Sequence, residues 1–136
     1  MILLAKNKYK ANWVINSDAN EFWYTSTANL KTELKQTRAN TLICKAKNVY
    51  HEEGTPFYKW KYIVNAMPKK DFVKYDLSHF SLFSPQRGKV IHRTNGYIQI
   101  STGNHKVIML PQRKAVPNII IYHYNIRGKE HFMQKK

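Results

Sequence analysis

Acidic residues are scarce in this chain. Eight Asp and Glu stand against 23 Lys and Arg, a formal net charge of +15 over 136 residues. A chain so short of negative charge attracts phosphate-rich partners: nucleic acid, anionic lipid headgroups or nucleotide diphosphates. Cysteine is nearly absent too. Cys44 stands alone, which excludes a disulfide framework or a cysteine-based zinc site within one chain and points to a reducing compartment. Its place in an apolar stretch reads as an inert buried thiol. Long hydrophobic runs are also missing. The longest, Met1–Ala5 and Ile119–Tyr122, fall far short of a spanning helix or a secretory signal. Glycine and proline number five each, with no linker, repeat or low-complexity tract. Zinc-finger spacing, a basic zipper and the glycine-flanked aromatics of an RNA-recognition strand are all lacking, so specific nucleic-acid binding is not expected.

What is present is globular. Hydrophobic residues make up 43% and aromatic residues 13%, enough for one domain with a moderate core. Ile2–Lys10 reads as the end of a helix. Asn12–Asn16 reads as a buried strand, with Trp13, Val14 and Ile15 contiguous, of the kind found in parallel sheets. It stops at the turn formers Ser17, Asp18, Ala19 and Asn20. Thr27 or Asn29 caps a predicted helix with Leu30 and Leu34 on one face. Thr41–Tyr50 is a predicted strand. Extended segments follow near Phe57–Val64, Lys89–Arg93, Tyr97–Ser101, His105–Leu110 and Asn118–Tyr124, and a short helix is predicted over Lys129–Lys136. This order suggests an α/β protein.

Ligands of open α/β sheets bind beyond the carboxyl ends of the strands. There Asp18 and Asn20, one residue apart, offer oxygens to a hard divalent cation such as magnesium or manganese. A polar turn between strand and helix is the ordinary reading of the same residues. Trp23 is placed to line a pocket, whereas Trp13 and Trp60 read as packing.

The run Asn12–Trp23, N-W-V-I-N-S-D-A-N-E-F-W, resembles the pattern of family 2 type glycosyltransferases in which a hydrophobic strand leads into D-A-D-E-F-W. K-V-I-H-R (Lys89–Arg93), then G-N-H-K-V (Gly103–Val107), is similar to a later segment of that family. H-Y-N-I-R-G-K-E-H-F (His123–Phe132) is similar to its C-terminal H-Y-x-I-R-S-x-E-Q-F. The segments occur in the family's order and span most of the chain.

The resemblance implies one domain over residues 1–136: an incomplete GT-A-like α/β fold, a mixed sheet with flanking helices that lacks the first strands. It also implies a missing N-terminal half that would bind the nucleotide. The implied activity is metal-assisted transfer of a sugar from a nucleotide-diphosphate donor to a glycan or lipid-linked acceptor. By the same resemblance, Asp18 and Asn20 hold manganese or magnesium, with His105 as a further metal ligand or a diphosphate contact. Asp18, Asn20, Trp23, His92, Arg93 and Arg127 contact the donor. Arg127 has an equal claim to a structural role in fixing the last strand. Asn20 stands where the family has its second aspartate, which removes a negative charge and weakens the hold on a metal. Glu52 and Glu53 are candidates for the general base, and Glu21 another with an equal claim to a binding or structural role. The expected location is cytoplasmic, with the positive charge favouring peripheral contact at the inner face of the membrane. Two alternatives stand beside this reading. One is an inactive or split glycosyltransferase remnant. The other is a basic phosphate- or nucleic-acid-binding protein, whose binding would be steeply salt-dependent and metal-free.

Overall fold

The computed structural model describes residues 2–27, 29–75, 82–125 and 133. It is a mixed α/β structure organised around one long strand. That strand, β3, spans Thr41–Asn48, with four of its eight residues buried. On one edge it pairs antiparallel with β4, Lys89–Arg93, which pairs antiparallel in turn with β1, Trp13–Ile15. On the other edge β3 pairs in parallel with two successive strands, β7 at Lys114–Ala115 and β8 at Ile119–His123. Antiparallel β2, Glu21–Thr25, completes the sheet beyond β8. The path through the sheet is β1-β4-β3-β8-β2. A separate hairpin pairs β5, Tyr97–Ile100, with β6, Val107–Met109.

Mixed α/β character is therefore as the sequence implies, but several details differ. The expected Asn12–Asn16 strand is shorter, antiparallel and at the sheet edge. A further strand, β2, lies between the turn and the helix. The helices are few and short: α1 at Ile2–Asn7, α2 at Leu30–Gln36 and α3 at Lys69–Lys74. Of the two predicted caps for α2, Asn29 supplies the bond, its Oδ1 accepting from Thr32 N at 3.0 Å; this satisfies one of the orphan donors of the first turn. Phe57–Val64, expected to be extended, holds a 3-10 turn at Phe57–Lys59 and one bridge between Val49 and Ile63. Pro56 before the turn and the Trp60 Nε1 bond back to Thr55 O (2.8 Å) fold this segment on itself. Of the predicted C-terminal helix, only Met133 is among the described residues, and it is helical.

Side-chain alternation divides the sheet into two faces. Leu42 and Cys44 of β3, Ile91 of β4 and Ile121 of β8 build the main core together with Ile119, and Leu30 and Leu34 of α2 cover it. Leu42, Ile91, Ile119 and Ile121 are each at most 1% exposed, and burial of such a side chain contributes about 1.5–3 kcal/mol. Cys44 lies in this core, and burial pushes its thiol up to about 12, so it stays protonated and inert. On the opposite face Val90 packs with Val107 and Met109 of the hairpin. Beyond the hairpin that face is open: Ile43, Lys45 and Lys47 of β3 are exposed, as are Phe22 and Tyr24 of β2.

Candidate functional site

The antiparallel pairing of β1 with β4 brings the end of one strand beside the start of the other. The turn after β1 therefore meets Lys89. The start of β2 and the end of β8 reach the same end of the sheet, since Glu21 pairs with His123. Between them lies a cleft of about 320 Å³, lined among others by Asp18, Glu21, Arg87, Lys89, His105 and His123.

Lys89 is the anchor of this cleft. It is only 4% exposed, and its Nζ lies 2.7 Å from Asp18 Oδ2 and 2.9 Å from Glu21 Oε1. The Glu21 side chain is 7% exposed and that of Asp18 65%. Burial alone would lower the pKa of Lys89, but hydrogen bonds and charge from Asp18 and Glu21 outweigh it and hold the ammonium above its ordinary value of 10.5. Glu21 Oε2 also accepts from Asp18 N at 3.2 Å, which closes the turn. Gly88 sets the depth at which Lys89 enters. A Cβ at Gly88 would lie 2.2 Å from Cys44 O, so only glycine lets β4 begin this close to β3.

Two histidines face the cleft in different ways. His105 donates from Nδ1 to Gly88 O at 2.9 Å, which leaves the lone pair on Nε2. Gly103, at φ 75°, keeps the space beside that nitrogen clear: a Cβ there would lie 2.7 Å from Nε2. His123 has both nitrogens engaged. Nδ1 donates to Asn48 Oδ1 and Nε2 accepts from Asn20 Nδ2, each at 3.0 Å.

Of the residues that the sequence offered for the site, Asp18, His105 and Glu21, the last a candidate base with an equal claim to a binding or structural role, meet in this cleft. Asn20 does not line it. Its amide also donates to Tyr124 O at 3.5 Å, so Asn20 positions His123. Trp23 packs against the main core and donates from Nε1 to Ser17 Oγ at 3.0 Å, bracing the turn from behind. His92 is fully buried on the face opposite Lys89; it bonds Arg93 O through Nδ1 at 2.9 Å and stacks on Tyr97. Arg93 lies at the far end of β4, roughly 13 Å from Lys89 at the rise of a strand. It sits over the Trp13 ring at 4.4 Å and donates to Ala39 O and Thr37 O, each at 3.4 Å. Glu52 accepts from Lys61 N at 2.6 Å within its own loop, and Glu53 is exposed; neither lines the cleft. Arg127 lies outside the described residues.

Sequence reasoning gave Lys89, Arg87 and His123 no role. Lys89 heads the apolar run V-I and reads locally as a solvated strand end. Its membership in the same short segment as His92 and Arg93 was the available signal. Both carboxylates at the turn needed a counter-charge, and that segment supplied one.

The expected metal is not matched by the donors. Asp18 is bonded to Lys89, Asn20 is turned to His123, and His105 is a single imidazole. Among the described residues no three His, Cys, Asp or Glu side chains come together as a metal-holding group. No helix among them is long and apolar enough to cross a membrane. Comparison with family models, curated proteins and solved structures gave no match to this chain.

Proposed function

We propose that the cleft is the donor-diphosphate end of a glycosyltransferase site of GT-A-like type. The reaction would transfer a sugar from a nucleoside diphosphate to a hydroxyl of a glycan or lipid-linked acceptor. One observation supports this above the rest. The three segments that resemble the glycosyltransferase pattern, far apart in sequence, contribute Asp18 and Glu21, Lys89 and His105, and His123 to one cleft.

The chemistry needs charge neutralisation on the departing diphosphate, a proton acceptor near the incoming hydroxyl, and positioning. Arg87 at the rim and Lys89 in the wall are the cations opposite a diphosphate. His105 Nε2 carries a lone pair with no donor among the described residues, so it is the group best placed to accept the acceptor's proton. It replaces Glu52 and Glu53 in that role. Asn20, Asn48 and Trp23 position the walls. The open sheet face, with Lys45 and Lys47 beside Phe22 and Tyr24, is the surface best suited to peripheral contact with anionic lipid, since aromatic and basic residues favour that interface.

The test is calorimetric titration of the chain with UDP, beside Arg87→Ala. Loss of one cation from the diphosphate should weaken binding by about tenfold. A folded chain that binds no UDP but binds nucleic acid with steep salt dependence would replace this reading with that of a general phosphate binder.

A further inference from the structure

The turn after β1 carries an acidic pair, but not the one the glycosyltransferase pattern has. Asn20 has lost the second carboxylate, and its side chain is directed to His123. The second acid is Glu21, turned inward until its side chain is 7% exposed. The pair Asp18 and Glu21 is closed on Lys89. We infer that the Lys89 ammonium is the built-in cation of this cleft, standing where the resemblance puts manganese or magnesium, so that a nucleoside diphosphate binds without a metal. The inference rests on the proposed function for the identity of its ligand.

Three features carry it. The first is occupancy. Nζ lies 2.7 Å from Asp18 and 2.9 Å from Glu21, the spacing of charge-assisted hydrogen bonds. With the bond from Asp18 N to Glu21 Oε2, three of the four carboxylate oxygens open to a hard divalent cation are engaged. The second is immobility. Lys89 is paired with Cys44 in the β3–β4 ladder, and Gly88 before it lies against the Cys44 carbonyl. A metal entering between the carboxylates would leave a buried ammonium without a counter-ion, beside a second positive charge. Breaking a buried ion pair in this way is strongly unfavourable. The third is charge. Two cations, Lys89 and Arg87, already balance the two carboxylates of the lining, so a diphosphate meets no uncompensated negative charge. Two of the three ammonium hydrogens are taken by the carboxylates, and no acceptor for the third is present among the described residues. A phosphate oxygen can accept that hydrogen.

The experiment titrates the wild-type chain with manganese, read by electron paramagnetic resonance of the free ion, and with UDP in EDTA or in manganese. The wild type should take up no manganese at Asp18, and its UDP affinity should agree within about twofold between the two conditions. Lys89→Met, checked for folding by circular dichroism, should gain a manganese site. Its UDP affinity should fall about tenfold in EDTA and recover in manganese. Manganese uptake by the wild type that Asp18→Ala abolishes overturns the inference, whether or not Lys89→Met folds; uptake that survives Asp18→Ala lies elsewhere and leaves it standing. UDP binding that appears only with manganese also overturns it, and spares the proposed function. If UDP binds under neither condition, the proposed function falls. The built-in cation is then decided by the wild-type manganese titration alone.

Discussion

The two ends of β4 each carry one cation, and they have opposite surroundings. Lys89, at the start, is buried between two carboxylates and faces a cleft. Arg93, at the end, meets no carboxylate among the described residues. It lies over Trp13 and binds the carbonyls of Thr37 and Ala39, where α2 runs into β3. A planar guanidinium suits this second place, because it can stack on a ring and donate in its own plane. A compact ammonium suits the first, since it can donate to two carboxylates along separate directions and keep a third hydrogen. The same strand thus fixes a site at one end and an architectural joint at the other, and charge alone does not tell them apart.

Breaking the Lys89 end should have the largest effect. Lys89→Met leaves Glu21 buried and unpaired, and loss of one partner of a buried pair costs 3–5 kcal/mol; about 3 is expected, because Asp18 is largely exposed and screened. Urea denaturation reads this directly. Adding Glu21→Gln to Lys89→Met should recover part of the loss, and full additivity of the two changes would show that the pair is not coupled.

Arg93→Ala should cost less, about 1–2 kcal/mol from the lost ring contact and two long hydrogen bonds. UDP affinity should be unchanged. A fall in affinity matching that of Arg87→Ala would erase the distinction between the two ends. Between them lies His92, and there the effect is smallest and depends on pH. Burial lowers its pKa from 6.5, against a smaller opposing pull from the bond to Arg93 O. Its Nε2 has no partner among the described residues. A histidine kept neutral by folding contributes stability that is present above the unfolded pKa and is lost as pH falls through the depressed folded pKa. Wild-type stability should therefore decline below about pH 6.5. His92→Phe, which can keep the stack on Tyr97, should flatten that decline while staying within about 1 kcal/mol of wild type at neutral pH. An unchanged acid profile would remove His92 as its cause.

How much of this was legible depended on whether the signal was local. The strand Lys89–Arg93 and the capped helix at Leu30 were readable, because a contiguous apolar run and an Asn before a helical face are properties of neighbouring residues. The strand β2 was not. Its phase is inverted: Phe22 and Tyr24 face outward while Glu21 and Thr25 turn in with Trp23, so alternation gives the wrong face. The cleft was half legible. Asp18 and His105 announce themselves as oxygen and nitrogen donors at turns. Lys89 does not, because nothing beside it in sequence says that it will be buried; its partner Asp18 is 71 residues away. Asn20 was assigned from its spacing to Asp18, but its actual partner His123 is 103 residues on.

Gly88 touches no proposed ligand, yet it sets a limit on how this chain can vary. The space that a methyl group would need there is filled by the Cys44 carbonyl, and backbone cannot yield as a side-chain tip can. Any replacement must lift the start of β4 from β3 and carry the Lys89 ammonium away from both carboxylates. In a library with every substitution at every position, residue 88 would score as intolerant as the ion triad itself. A search for ligand contacts alone would pass over it.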